Sequence, residues 1–278
     1  MHGLWRSDAF ICRLQAFGAS TGKAGKRPQA FSCVIIDEAC QAVELDCLIP
    51  LQHGVSKVIA VGDPEQLPST VLSKKSQELD FGCSLFERLY KVFQTESRTL
   101  FRDESLANFN PVLLLDTQYR MHPEICTFPS RHVYDGRVKT DSSVMDRLST
   151  RKCPFRPLLF FDLVDSKETS DSRGSLAGPS VSNLVEATFT VALCLEITKL
   201  YPPHSIGVIT PYQKQKALIM GRLRTATFRD EEGNIRPLAG LVEVGTVDGF
   251  QGREKEFIIL SCVRAQSDSG SIGEFESF

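Results

Sequence analysis

The sequence predicts an α/β fold with parallel sheets, and two observations support this prediction. Short apolar, β-branched runs alternate with longer segments that have helical spacing. Each short run is almost continuously apolar, as strands buried on both faces of a parallel sheet are. The predicted strands are 33–36, 57–61, 112–115, 158–161, 206–210, 242–247 and 257–263. The predicted helices are 84–93, 181–200 and 213–223.

The length and the pattern of the chain predict two domains. A chain of 278 residues is long enough for two domains that each bury a core. The stretch 94–110 is polar and has no clean period, so we place the boundary there, with domains 1–108 and 109–278. We expect surface loops at 166–180, which is rich in Ser, Gly and Asp, and at 228–240.

The composition is that of a globular protein, with 42% hydrophobic and 24% charged residues. No apolar run approaches the length of a membrane span, and the first residues lack the apolar stretch of a signal peptide. We therefore expect an intracellular protein with no membrane partner. The net charge of −2 gives no basic field over the whole chain, so nucleic-acid binding would need a local groove.

The nine cysteines form no C-x-x-C pair, and Cys33, Cys194 and Cys262 lie inside apolar strand or helix patterns. This arrangement predicts reduced, buried thiols and argues against a disulfide framework or a zinc site.

The first motif follows the predicted strand 33–36, which ends in the adjacent carboxylates Asp37 and Glu38. Ligands of α/β proteins bind at the carboxyl ends of the strands. In P-loop NTPases the first acid of such a pair holds Mg²⁺, and the second orients or deprotonates the attacking water. The alternative is a strand that ends in two solvated acids, because Asp-Glu pairs are common.

A second motif, Gly62-Asp63-Pro64-Glu65-Gln66-Leu67-Pro68, follows the next predicted strand. The Gly-Asp-Pro turn predicts a fixed polar loop at the same sheet edge. There the amide of Gln66 could donate to a γ-phosphate or to the attacking water. The alternative is an ordinary turn at the end of a strand.

A third motif, Gln118-Tyr119-Arg120-Met121-His122-Pro123, follows the predicted strand 112–115. The guanidinium of Arg120 suits contact with phosphates, and the ring of Tyr119 offers a flat face to a base. The alternative for Arg120 is a surface salt bridge. We interpret His122 as a residue that starts a helix and not as a catalytic base.

Two further motifs follow strands in the second half of the chain. Thr210, Pro211 and Tyr212 offer a hydroxyl and an aromatic ring to single-stranded nucleic acid. In the segment 245–254, Gly252 permits close approach of the backbone, and Glu254 could bind a ribose hydroxyl or Arg120.

In order, DEACQ, GDPEQLP, QYRMHP, ITPYQKQ and TVDGFQGREKE resemble the motifs of superfamily 1 helicases related to the nonsense-mediated-decay RNA helicase. The segments PEICTFPSRHVYDGRVKT and CPFRPLLFFD are most similar to the senataxin branch. The resemblance covers residues 30–275, and five motifs in the right order leave little room for chance. It implies two RecA-like P-loop NTPase domains with parallel sheets, which close on ATP.

The resemblance also implies roles for individual residues. Catalytic roles fall on Asp37, which would bind Mg²⁺, and on Glu38, Gln66 and Arg120. Contacts with ATP fall on Gly62, Asp63, Gln66, Tyr119, Arg120, Gly252 and Glu254. Contacts with nucleic acid fall on Ser20, Thr21, Thr210, Pro211, Tyr212 and Thr246. The implied cofactors are ATP and Mg²⁺, and the implied partners are single-stranded RNA or DNA, RNA–DNA hybrids, and RNA-processing or transcription-termination factors in the nucleus.

The chain departs from the family at both ends. The candidate Walker A loop, Gly18-Ala19-Ser20-Thr21-Gly22-Lys23-Ala24, has one residue too few between its glycines and an alanine where Mg²⁺ needs Ser or Thr. We interpret it as a decoy and expect a first domain truncated on its N-terminal side. The chain also stops before the arginine-finger motif. Three hypotheses follow: a helicase motor core that turns over ATP poorly by itself, a non-catalytic nucleic-acid-binding or regulatory fragment, or a pseudogene-like product with no stable function.

Overall fold

A computed structural model describes residues 9–13, 31–52, 55–96, 111–149, 155–164, 166–170, 181–200, 205–230 and 232–265. Contacts divide the chain into two compact units, Met1–Leu159 and Phe160–Phe278. The predicted domain boundary at 108/109 lies outside the described residues, as do Ser20, Thr21 and the candidate Walker A segment.

The first unit contains a three-stranded parallel sheet in the order β1-β2-β3. Its strands are β1 (Ala9–Arg13), β2 (Cys33–Asp37) and β3 (Lys57–Ala60). Parallel neighbours need a crossover connection, and α1 (Glu44–Leu51) supplies it between β2 and β3. Every second residue of β2 is buried, and Val34 and Ile36 pack with Ala39, Ala42 and Cys47 in one core. All four residues of β3 are exposed, so the prediction that this strand is buried on both faces is wrong.

In the rest of the first unit, the described residues form four helices and a short parallel pair of strands, β4 (Thr117–Gln118) and β5 (Lys139–Thr140). The helices are α2 (Lys74–Gln77), α3 (Leu85–Glu96), α4 (Pro123–His132) and α5 (Ser142–Ser149). His122 caps α4, because its Nδ1 accepts the backbone N–H of Glu124 at 3.1 Å. The interpretation of His122 as a helix-start residue is confirmed.

The second unit is built on another three-stranded parallel sheet, in the order β11-β8-β12. Its strands are β8 (Ile206–Ile209), β11 (Val242–Gly245) and β12 (Phe257–Leu260). The helices are α6 (Leu184–Leu200), α7 (Gln213–Thr225) and α8 (Val247–Phe250). Phe250 lies directly on the sheet glycines: a Cβ on Gly245 would lie 2.5 Å from Cδ2 of Phe250, and a Cβ on Gly207 would lie 2.8 Å from Cε1.

Two antiparallel pairs complete the second unit. They are β6 (Glu168–Ser170) with β7 (Val181–Asn183), and β9 (Thr227–Arg229) with β10 (Ile235–Pro237). The prediction of a loop at 228–240 is therefore wrong, because a hairpin lies there. The same holds for 168–170 within the predicted loop 166–180, of which 171–180 lies outside the described residues.

The predicted α/β fold with parallel sheets is confirmed, and five of the seven predicted strands are present with shifted ends. The strands predicted at 112–115 and 158–161 are wrong: both runs are irregular chain, and Leu113 and Phe160 are 83% and 89% exposed. An apolar run becomes a strand only when a neighbour pairs with it, which periodicity does not reveal.

Seven of the cysteines in the part of the chain from residue 31 onwards that the structure describes are free thiols. Cys194 is buried, but Cys33 is half-buried and Cys262 is exposed, so the predicted burial is wrong for these two. Within the same ranges, no helix combines the length and the apolar character that crossing a bilayer requires.

Candidate functional site

The end of β2 presents two carboxylates in a constrained turn. Asp37 is the last residue of the strand, and Glu38 adopts a left-handed conformation with φ 53° and ψ 44°. Such a conformation costs a glutamate energy and persists only where its surroundings hold it. The backbone N–H of Glu38 donates to Oδ1 of Asp37 at 3.1 Å, and Nε2 of Gln41 donates to Oε2 of Glu38 at 3.0 Å. Both carboxylates are half-buried and are positioned by the turn itself.

The loop after β3 packs backbone to backbone against this turn. The backbone N–H of Ala39 donates to the carbonyl of Val61 at 2.8 Å. A Cβ on Gly62 would lie 3.0 Å from Sγ and 3.1 Å from the backbone nitrogen of Cys40. Glycine is therefore needed at position 62 for the two loops to approach, which places the first two sequence motifs side by side.

The carboxylate of Asp63 accepts hydrogen bonds from several residues around the loop of the second motif. Its Oδ2 accepts Nε2 of Gln66 at 2.7 Å and the phenol of Tyr134 at 2.6 Å, while its Oδ1 accepts the N–H of Glu65 at 3.1 Å. Burial, followed by the bond to Asp63, raises the pKa of Tyr134 to about 12, so this phenol stays protonated and donates. Sequence reasoning missed Tyr134, because its segment was used only for the family resemblance.

Cys40 lies between the two loops but is not a nucleophile. Burial raises the pKa of its thiol to about 11, so the thiolate is scarce at neutral pH.

In the third motif the glutamine organises the turn. Nε2 of Gln118 donates to the carbonyl of Met121 at 2.7 Å and to Oγ1 of Thr140 at 2.6 Å, and its Oε1 accepts the N–H groups of Arg120 and Met121. Arg147 donates to the carbonyls of Tyr119 and Arg120. The side chains of Tyr119 and Arg120 are exposed on this braced turn. The sequence predicted no role for Gln118, although its side chain holds the backbone of Arg120.

In the second unit, the loops that follow β8 and β11 lie against each other. The N–H of Thr210 donates to the carbonyl of Gly245 at 3.1 Å. The buried Oγ1 of Thr210 and Nε2 of Gln251 have no hydrogen-bond partner among the described residues. A buried polar atom without a partner costs about 1–3 kcal/mol, so each of these two atoms suits a ligand.

The remaining predicted contacts of the second unit lie in the same loops. Tyr212 precedes α7 and is half-buried, with the guanidinium of Arg264 5.9 Å from its ring centroid. Oγ1 of Thr246 caps α8 by accepting the N–H of Gly249 at 3.4 Å. Gly252 has a φ of 72°, which glycine adopts without strain, and Glu254 is exposed.

Behind these loops lies a polar network that sequence reasoning missed. Oε1 of the fully buried Gln215 accepts the N–H of Asn183 at 2.8 Å, and its Nε2 donates to Oγ of Ser261 at 3.0 Å. Oε2 of Glu186 accepts the N–H of Val263 at 2.8 Å, and Val263 has a left-handed φ of 71°. The second glutamine of ITPYQKQ is thus a core residue. The residue types of a motif do not show whether a polar side chain contacts a ligand or stabilises the core.

The donors at the ends of β2 and β3 fit a magnesium nucleotide. Within the described ranges, no three His, Cys, Asp or Glu side chains are grouped to hold a metal by themselves. Protein sites for Mg²⁺ with a nucleotide commonly need only one or two carboxylates, because phosphate oxygens and water complete the shell. Asp37 engages only Oδ1 in its bond to Glu38 and is placed as such a ligand.

Comparison with known families defines the class of protein. Two family models, each described as an AAA domain, match residues 16–74 and 81–277. Together they span both units and all five motifs, and with the parallel α/β sheets they fit the fold of an AAA-type, P-loop NTPase domain.

Individual relatives narrow the class. The chain is 38% identical to human senataxin over 277 residues and 37% identical to mouse senataxin over 270 residues, in each case 96% of this chain and 10% of the relative. It is 39% identical over 255 residues to the helicase sen1 of Schizosaccharomyces pombe, covering 89% of this chain and 13% of sen1. The chain thus belongs to the senataxin-like helicases of superfamily 1, and it spans about a tenth of the length of the senataxins it matches.

Proposed function

We propose that this chain is a motor core of an ATP-dependent helicase that acts on RNA, DNA or RNA–DNA hybrids. The observation that carries the proposal is the packing of the Asp37–Glu38 turn against the loop of Asp63 and Gln66, across Gly62. That arrangement gathers carboxylates and an amide at the carboxyl edge of a parallel sheet. The proposal includes two RecA-like domains, because family members couple ATP hydrolysis to strand movement in this way.

Each predicted site residue of the first unit would have a separate role in ATP binding and hydrolysis. Asp37 would hold Mg²⁺, which would neutralise charge on the β- and γ-phosphates of ATP. Glu38 would orient the attacking water and accept its proton, and the bond from Gln41 leaves Oε1 of Glu38 for that task. Gln66 would donate its amide to the γ-phosphate, while Tyr119 and Arg120 would contact the base and the phosphates.

The second unit would supply contacts with the nucleic acid. Oγ1 of Thr210 and Nε2 of Gln251 are buried polar atoms without a partner among the described residues, which supports a phosphate or sugar ligand there. Tyr212 would provide a stacking face, and Thr246 a further hydroxyl. Gly252 and Glu254 would contact the nucleotide. These roles follow from the resemblance together with the position of the residues at the ends of the strands.

We infer the nucleic-acid substrate, the partners and the cellular location from the relatives. One relative is named a regulator of nonsense transcripts, which supports RNA as the track, and the resemblance to the senataxin branch extends the proposal to RNA–DNA hybrids. We extend the proposal to RNA-processing or transcription-termination factors as partners and to the nucleus as the location.

A second candidate function is a nucleic-acid-binding or regulatory module without turnover. Within its 278 residues the sequence holds no G-x-x-x-x-G-K-S/T loop, so we expect the chain assayed by itself to hydrolyse ATP slowly. The two candidates differ in whether the site formed by Asp37, Glu38 and Gln66 works once a phosphate-binding loop is supplied.

The test is a chimera in which this chain replaces the matching segment of human senataxin. We expect RNA-stimulated ATP turnover by the chimera, and a fall of about 10³-fold with Glu38→Gln, as loss of a general base produces. The matched control is Glu78→Gln, the same change at an exposed glutamate after α2, which should leave turnover unchanged.

The other outcomes separate the candidates. A chimera that binds RNA without turnover supports the binding module, and one that does neither overturns both proposals. If the isolated chain hydrolyses ATP and Glu38→Gln abolishes this, the decoy interpretation of Lys23 is wrong.

A further inference from the structure

Three side chains form a hydrogen-bonded group centred on Asp63, in the loop after β3. Oδ2 of Asp63 accepts two donors at once, the phenol of Tyr134 at 2.6 Å and Nε2 of Gln66 at 2.7 Å. Gln66 and Asp63 belong to one motif, whereas Tyr134 comes from a segment about seventy residues later in the chain.

The side-chain amide of Gln66 needs further contacts to keep a single orientation. It is exposed, and a free glutamine side chain loses up to about 2 kcal/mol of rotamer entropy when it is fixed. Asp63 supplies a partner, but a single carboxylate oxygen permits a range of amide orientations. The phenol of Tyr134 is a second donor to the same oxygen of Asp63. It restricts the orientation of the Asp63 carboxylate and thereby that of the Gln66 amide bonded to it.

Tyr134 itself is held by a tight turn. Its own N–H donates to the carbonyl of Pro129 at 3.3 Å, and its carbonyl accepts the N–H of Arg137 at 2.9 Å. Asp135 and Gly136, which follow it, both have left-handed backbones with φ of 52° and 72°. Its ring is half-buried, so the phenol oxygen is delivered to Asp63 from a fixed support.

We propose that Tyr134 is a positioning residue: by donating to Oδ2 of Asp63, it sets the direction of the Gln66 amide towards the nucleotide. The inference rests on the proposed role of Gln66 at the γ-phosphate. Through this bond the turn after α4 acts on the chemistry, although Tyr134 itself touches no reacting atom. When the γ-phosphate is bound, one amide hydrogen of Gln66 serves the phosphate, and the other keeps the bond to Asp63.

The first test uses the 278-residue chain without nucleotide. NMR measures solvent exchange and ¹⁵N relaxation of the Gln66 side-chain amide. Tyr134→Phe removes the hydroxyl alone, and we expect exchange to rise roughly threefold to tenfold, as loss of an ordinary hydrogen bond does. Asp63→Asn should raise it in the same direction. The control is Tyr90→Phe, the same change on α3, which should leave the Gln66 signals as they are.

The second test uses the chimera with human senataxin. We expect Tyr134→Phe to lower kcat about tenfold, the usual cost of losing a residue that orients a contact residue, with little change in KM. In a Gln66→Ala background the same substitution should have no further effect, because its target is gone. Tyr90→Phe should leave kcat unchanged.

The outcomes are distinguishable from failure of the helicase proposal. A wild-type Gln66 amide that already exchanges freely, or one that Tyr134→Phe does not loosen, overturns the positioning role whatever the chimera does. Additive effects of Tyr134→Phe and Gln66→Ala on kcat overturn it as well. A chimera without turnover removes the proposed function, while the NMR result still decides whether Tyr134 holds Gln66.

Discussion

The two units use the same kind of sequence, a strand followed by polar residues, in opposite ways. After β2 and β3 of the first unit, the polar side chains are half-buried or exposed and are held by short contacts within their own loops. After β8 of the second unit, Gln215 is fully buried, and its amide makes hydrogen bonds to other buried residues of the core. For Gln66 and Gln215, accessibility and not residue type separates a side chain that can meet a ligand from one that holds the fold.

The difference has a physical origin in the cost of burial. A buried amide must find partners for its oxygen and its nitrogen, and Gln215 finds them on Asn183 and Ser261. Side chains bound in this way are not available to a phosphate. The half-buried carboxylates of Asp37 and Glu38 remain solvated on one side and can exchange water for a cation.

The largest effect on stability should come from Gln215→Leu. The change leaves the backbone groups of Asn183 and the hydroxyl of Ser261 without their partner, at about 1–3 kcal/mol for each buried group. We expect the free energy of unfolding, measured with urea, to fall by about 3 kcal/mol or more. The matched control, Gln213→Leu, changes an exposed residue two positions earlier in α7 and should shift it by less than about 0.5 kcal/mol. Equal effects of the two would remove the contrast between the units.

A smaller loss is expected from Gly245→Ala. The added Cβ would lie 2.5 Å from Cδ2 of Phe250, so the ring or β11 has to move, at about 1–3 kcal/mol. Gly249→Ala adds the same methyl 3.3 Å from Oγ1 of Thr246 at an exposed position, and it should stay within about 0.5 kcal/mol. Thermal unfolding of both variants is the measurement. If Gly245→Ala left the thermal stability unchanged, Phe250 would not pack tightly against Gly245 at this end of the sheet.

The smallest effect, and the one that depends on pH, should come from Glu186→Gln. Burial raises the pKa of Glu186 above its ordinary value, while the N–H of Val263 partly offsets the rise. The folded state therefore binds this proton more tightly than the unfolded state. The stability that the proton provides is present below the unfolded pKa of about 4.5 and is lost as pH rises through the folded pKa.

The variant keeps an oxygen for Val263 but does not ionise. Its stability relative to the parent should thus increase as pH rises from about 4.5 towards neutrality. Urea unfolding across this range measures the difference. A difference that is flat with pH would show that Glu186 ionises as an exposed glutamate does, which would weaken the contrast between a buried network and an accessible site.

Part of this site was predictable from sequence because it is local in the chain. Asp37 and Glu38 follow a strand, Gln66 follows the next one, and parallel strands bring their ends to one edge. His122 was predictable as a cap for the same reason, since capping involves only neighbouring residues. The roles assigned to the contact residues remain predictions, and those of Ser20 and Thr21 concern residues outside the described ranges.

Several failures of prediction involve partners distant in sequence, and one involves a local hairpin. The runs 112–115 and 158–161 have the composition of strands but no ladder, and 228–240 forms a hairpin that its polar composition hid. Tyr134 reaches Asp63, and Gln215 reaches Asn183 and Ser261, across long stretches of chain. A pattern along the chain carries no information about such contacts.

The sequence by itself determined the fold class, the family, and the residues that stand at the ends of the strands. These follow from periodicity and from motif order, which are properties of neighbouring residues. Only the tertiary structure decided which polar residues are accessible and which are core. Burial depends on what packs from elsewhere in the chain, so Gln66 remains exposed beside Tyr134, while Gln215 is buried and bonded to Ser261, the residue after β12.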